Sequence, residues 1–164
     1  MKKLTSAAFA AALLASAASV QAADDKPFSG TYLGADVGYL DLEGLDGGIS
    51  YEGFLGLRKQ TNGGFVYGIE GTFGSADIEL LDHVWSVNGV LGAVVGQEGR
   101  GLIFVSGGYA EAKASAFGVS VTGDAFRGDI GYEYAMGDNY SIRIKATTFE
   151  FDDYGASAGF LVRF

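Results

Sequence analysis

The 164-residue chain has no cysteine, which excludes a disulfide framework and every thiolate metal site. Its one histidine, His83, cannot build a histidine-rich metal centre. Positive charge is scarce: 11 Lys and Arg face 20 Asp and Glu, a net charge of -9, and setting aside Lys2 and Lys3 lowers it to -11. No basic patch is left to hold phosphates, so a nucleic-acid partner is excluded. Proline is nearly absent as well, with Pro27 alone, so little interrupts a strand ladder. Beyond residue 22 there is no run of about 18 apolar residues, and helical membrane spans are excluded.

What is present begins with an export segment. Lys2 and Lys3 precede an apolar stretch from Ala7 to Ala18, and Val20-Gln21-Ala22 closes it with small residues. This reads as a cleavable signal peptide over residues 1–22, too short for the ~20 apolar residues of a retained anchor helix. Residues 23–164 are expected to form one domain.

In that remainder, eight segments alternate with period two, the pattern of strands with two unlike faces. Leu33, Ala35, Val37 and Tyr39 oppose Gly34, Asp36 and Gly38; Ile49, Tyr51, Leu55 and Leu57 oppose Glu52, Phe54 and Arg58. Phe65, Tyr67, Ile69 and Phe73 oppose Glu70 and Thr72; Trp85, Val87 and Leu91 oppose Ser86 and Asn88. The fifth segment sets Ile103, Val105 and Tyr109 against Phe104 and Ser106, and the sixth sets Phe126, Ile130, Tyr132 and Tyr134 against Arg127, Asp129 and Glu133. The seventh opposes Tyr140, Ile142 and Ile144 to Arg143 and Lys145, and the last runs to the final residue with Phe160, Val162 and Phe164 on one side. The expected fold is an all-β, eight-stranded antiparallel transmembrane barrel with up-and-down order, because a lipid-facing strand needs a closed sheet. A lipocalin-like soluble barrel is the alternative, with its apolar face inward. Against it, the polar side here is rich in Gly, Ser and charges of both signs, which suits a narrow interior better than a water-facing surface.

The connections at Lys59 to Gly64, Gly96 to Gly101 and Gly137-Asp138-Asn139 read as tight turns. Asp41 to Gly48, Ser75 to Asp82, Glu111 to Asp124 and Glu150 to Ser157 read as longer external loops, the third of which could instead extend the barrel as a hairpin. Both termini are then periplasmic. The tyrosines, Tyr32 included, and Trp85 fall near strand ends, where headgroup-level aromatic belts form.

The stretch Gly128-Asp129-Ile130-Gly131-Tyr132-Glu133-Tyr134, followed by Gly137-Asp138-Asn139-Tyr140-Ser141-Ile142-Arg143 and the final Phe164, resembles the small outer-membrane β-barrel superfamily that includes OmpA/OmpX-type and opacity-like proteins. The likeness covers the chain in layout and residues 126–164 in motif detail. It implies an integral protein of a Gram-negative outer membrane, with lipid and lipopolysaccharide around it. It also implies that Phe160, Val162 and Phe164 form the C-terminal signal read by the barrel-assembly machinery. Lys145 departs from the family's usual acidic position, so the interior charge partners are expected to differ. The fold alone does not fix a function.

Enzymes occur among such barrels, so the residues around the one histidine bear on catalysis. A lipid A deacylase-like pattern places a serine two residues after the histidine on the same face; after His83 that residue is Trp85, and Ser86 points the other way. No catalytic residue, cofactor or metal is expected. The informative set is the inward charge: Asp36, Glu52, Arg58, Glu70, Arg127, Asp129, Glu133, Arg143, Lys145 and Arg163. Enclosed charges must pair or stay hydrated. They read as a salt-bridged network filling the bore, with Arg127, Arg143 and Lys145 meeting Glu133, Asp129, Glu52 and Glu70, or else as the lining of a small porin passing ions or small solutes. An acidic rim of Asp41, Glu43, Asp46, Asp77, Glu79, Asp82, Asp152 and Asp153 reads as solvated loop charge, with divalent cations as the alternative. The expected role is structural or in surface interaction.

Overall fold

The computed structural model describes residues 26–41, 47–78, 81–116 and 119–164. The predicted export segment, Glu43, Asp46 and Glu79 lie outside the described residues. Eight strands follow in order: β1 (Gly30–Asp41), β2 (Gly48–Gln60), β3 (Phe65–Ala76), β4 (Leu81–Val95), β5 (Gly101–Ala116), β6 (Val119–Ala135), β7 (Tyr140–Phe149) and β8 (Asp153–Arg163). Each pairs antiparallel with its neighbour, and β8 returns to β1 from Tyr32↔Arg163 to Asp41↔Tyr154, closing the barrel in the expected meander. Closure satisfies the backbone of both would-be edge strands, as a lipid-surrounded sheet requires. At the seam, the Phe164 N–H donates to the Thr31 carbonyl at 2.9 Å. Strands of 10 to 17 residues suffice to cross the apolar band when tilted.

The two faces decide between the two barrel readings. Ile69, Leu91, Ile130 and Ile144 stand on the outside, each at least half exposed, while Arg127, Glu133, Asn88 and Ser141 are buried inside. A soluble protein does not cover its whole girth with apolar side chains and enclose its charges. The outward aromatics form two girdles, one with Tyr67, Tyr132, Tyr134, Tyr140 and Phe164 at the rim holding the termini, the other with Tyr39, Tyr51, Phe73, Trp85, Tyr109 and Phe126 toward the distal rim.

Two expectations need correction. Tyr32 is not in a girdle: it shares the parity of Gly34 and Asp36, points inward and is 1% exposed. Three of the distal connections are shorter than expected, at 77–80, 117–118 and 150–152, because strand pairing continues into the predicted loop sequence, whereas the first, 42–47, keeps nearly its expected bounds. The β5–β6 ladder runs out to Ala116↔Val119, the hairpin extension that the sequence allowed. At the last distal turn, Glu150 and Phe151 adopt φ of 52° and 69°, which reverses the chain in three residues without a glycine.

Candidate functional site

Inward glycines shape the interior. A Cβ at Gly34 would overlap the Phe54 ring, and one at Gly56 would overlap the Tyr32 ring, so these strand glycines are seats for aromatic side chains in a bore too narrow to hold both. With Leu161, Tyr32 and Phe54 form a buried cluster at mid-bore. A second apolar layer, Phe28, Val66, Val90, Leu102, Phe104 and Ala135, fills the terminal end, and a third, Leu40, Ala76 and Ile78 with Leu81 and Phe149 against it, lies toward the distal end.

The predicted inward charges all face the bore, and they join into chains of ion pairs between these layers. Arg127 on β6 grips Glu52 on β2 with two donors, at 2.5 and 3.0 Å, and Asp129 at 3.1 and 3.2 Å. Its Nη1 also donates to Thr72 Oγ1 at 3.0 Å. Lys145 on β7 links Glu52 at 2.6 Å to Asp36 at 2.8 Å. Arg143 on β7 continues the chain, holding Asp36 at 2.8 and 3.2 Å and Glu70 at 2.7 Å with its guanidinium 3.4 Å from the Phe54 ring centre. The Tyr32 hydroxyl donates to Glu70 at 2.9 Å, and the Ser106 and Thr147 hydroxyls donate to Asp129 at 2.6 Å each.

Glu133 is the correction within this set. Its partner is not a cation of β6 or β7 but Arg58 on β2, which meets it fork to fork across the bore at 2.6 and 2.7 Å. Such bidentate pairs fix direction as well as charge. Arg163 stands 3.9 Å from Glu133 and donates to Ser141 Oγ at 2.7 Å and to the carbonyls of Gly137 and Asp138 at 2.7 and 2.8 Å, tying β8 to the β6–β7 turn. The inward cations Arg58, Arg127, Arg143, Lys145 and Arg163 equal in number the carboxylates Asp36, Glu52, Glu70, Asp129 and Glu133. The belt is therefore neutral as a whole, the condition for enclosing charge away from bulk water.

The other candidates do not converge on chemistry. His83 stacks on Phe73 with ring centres 5.5 Å apart, whereas Ser86 lies in the lumen with Oγ 2.9 Å from Thr72 Oγ1. Histidine and serine are thus on opposite faces of β4. Asp129 and Glu133 go to different cations, so they do not act as a carboxylate pair. Thr72, Ser86, Ser106 and Thr147 complete the belt, and parity alone was the signal for them. Phe28, which precedes the first strand, had no sequence signal.

A model of the outer membrane protein beta-barrel domain matches residues 10–164. Among solved structures, the N-terminal β-barrel domain of Pseudomonas aeruginosa OprF aligns with a TM-score of 0.61 at 12% identity, covering 81% of this chain and 97% of that one. Neisserial surface protein A gives 0.57 at 15% identity, over 83% and 98%. Ail, the attachment invasion locus protein of Yersinia pestis, gives 0.51 at 16%, over 82% and 96%. At these identities the likeness is one of fold. None of the curated proteins compared matches in sequence.

Proposed function

The chain belongs to the outer membrane protein beta-barrel domain family, and from that premise we propose that this integral outer-membrane barrel serves a structural or surface-interaction role with its lumen closed to all but water and the smallest ions. The observation that carries the reading is the neutral ion-pair belt held between apolar layers at both ends of the bore. An eight-stranded barrel is just wide enough for side chains to fill it. Liposomes carrying the folded protein are expected not to swell in isotonic arabinose; rapid swelling would favour the small-porin alternative instead.

The termini face the periplasm and the distal rim faces outward in this reading. It is supported by the β5–β6 hairpin, in which β6 from Val119 to Phe126 runs past the last β7 pair, Arg127↔Phe149. Because the chain has no cysteine, Thr122→Cys in intact cells is expected to react with an impermeant thiol reagent and Gly137→Cys to stay unlabelled. The opposite pattern inverts the orientation.

Lipid and lipopolysaccharide surround the barrel, and the barrel-assembly machinery reads Phe160, Val162 and Phe164 during biogenesis. Phe160 and Val162 alternate outward on β8 and Phe164, just past its end, is exposed as well, so another protein could reach them before closure, whereas Arg163 is buried. Phe164→Asp is accordingly expected to cut the amount assembled in the membrane more than Arg163→Gln, measured as the fraction that migrates as a compact barrel before boiling. Equal assembly of both variants removes the signal role.

A further inference from the structure

The terminal mouth of the barrel is filled by chain that is not part of its wall. Residues 26–29 precede β1 and turn back, the Ser29 N–H donating to the Lys26 carbonyl at 3.2 Å. The turn drops Phe28 into the bore, fully buried against Val66, Leu102, Phe104 and Ala135, and it is the one member of that cluster that no strand supplies. The guanidinium groups of Arg58 and Arg163 lie 5.3 and 5.9 Å from its ring centre. A single wall residue latches this strap. Gln60, at the end of β2, accepts the Phe28 N–H on Oε1 at 3.1 Å, donates its own N–H to Ser29 Oγ at 3.0 Å, and offers its carbonyl to Lys26 Nζ at 3.3 Å. Lys26 Nζ also donates to Asn62 Oδ1 at 2.6 Å.

We propose that residues 26–29 form a stopper, with Phe28 as its plug and Gln60 as its latch, which closes the terminal mouth in series with the ion-pair belt and independently of it. The inference rests on the closed-lumen reading. Its physical basis is that the strap contributes no rung to the ladder between β1 and β2 or between β1 and β8. It can therefore undock as a local unit while every strand stays paired, whereas opening the wall breaks a continuous ladder. The ion pairs of the belt do not include the strap either: none of those made by Arg58, Arg127, Arg143, Lys145 and Arg163 involves residues 26–29, and Arg58 and Arg163 meet it through the Phe28 ring alone. Access to the lower bore from the terminal side is thus set by a few hydrogen bonds and one buried ring.

The absence of cysteine makes single-thiol reporters clean. Ala135→Cys places one in the apolar cluster that Phe28 completes and Ser86→Cys places one in the belt, both at sites at most 2% exposed. The folded full-length protein in detergent, with both mouths open to a charged thiol reagent, is expected to label slowly at either reporter. Phe28→Ala should then speed labelling at Ala135→Cys by about tenfold or more, and Gln60→Ala, which removes the side-chain acceptor of the Phe28 N–H and keeps the two bonds of the Gln60 backbone, by about fivefold, with Ser86→Cys slow in both. Gln60→Ala keeps the apolar cluster intact, so the test survives if Phe28→Ala fails to fold, which the gel shift on boiling reports. Labelling at Ala135→Cys that neither substitution changes, or that is fast with the strap intact while Ser86→Cys is slow, overturns the stopper. Fast labelling of Ser86→Cys in the otherwise unmodified protein overturns the closed lumen itself, and the stopper with it.

Discussion

Arg143→Ala is expected to destabilise the folded barrel by about 3–5 kcal/mol, the cost of removing one partner from a buried ion pair. The guanidinium, 3% exposed, holds Asp36 and Glu70 together and lies on the Phe54 ring. Without it, among the described residues, Glu70 keeps the Tyr32 hydroxyl and Asp36 keeps Lys145, and the belt has five carboxylates against four cations. Arg127→Ala should cost less, because Glu52 retains Lys145 and Asp129 retains the Ser106 and Thr147 hydroxyls. Urea unfolding in detergent or liposomes measures both. Adding Glu70→Gln to Arg143→Ala is expected to recover part of the loss, since it removes the carboxylate left with least support. A loss under about 1 kcal/mol for Arg143→Ala is the size seen for exposed pairs, and it would mean that water already solvates the belt.

On the other face, Ile130→Arg and Leu91→Arg are each expected to cost about 2–4 kcal/mol, because each puts a charge against hydrocarbon near the middle of the apolar band. Both side chains are at least half exposed on the outside. Asp129→Asn, one residue from Ile130 but inward, should cost less, because the amide carbonyl still accepts from Ser106 and Thr147. The ranking tests the register directly, since a slip of one residue exchanges the two faces of a strand. If Asp129→Asn proved worse than both arginine substitutions, the assigned faces would be reversed.

What was legible in the sequence follows from the same parity. Alternation such as Leu33, Ala35, Val37 against Gly34, Asp36, Gly38 separates lipid side from lumen side without knowledge of any neighbour, so the strand count, the closed barrel and the inward charges could all be read from it. Tyr32 was misplaced because its position near a strand end outweighed its parity with Asp36. The pairing of Glu133 was not legible because parity says which side a residue faces, not its height in the barrel. Height depends on the stagger between strands, and it brings Glu133 level with Arg58 on the far wall. The last distal turn was hidden because Glu150 and Phe151 take positive φ without the Gly or Asn that signals such a turn. Phe28 was hidden because one apolar residue outside any strand leaves no periodic trace.

Single-channel recording in planar bilayers tests the closed lumen most directly. The account predicts no steady open-channel current from the unmodified protein. It predicts brief current steps from Arg143→Ala, which admits water to the belt, and longer ones when Gln60→Ala also frees the terminal mouth. Large, steady currents from the unmodified protein, unchanged by Arg143→Ala, would contradict it.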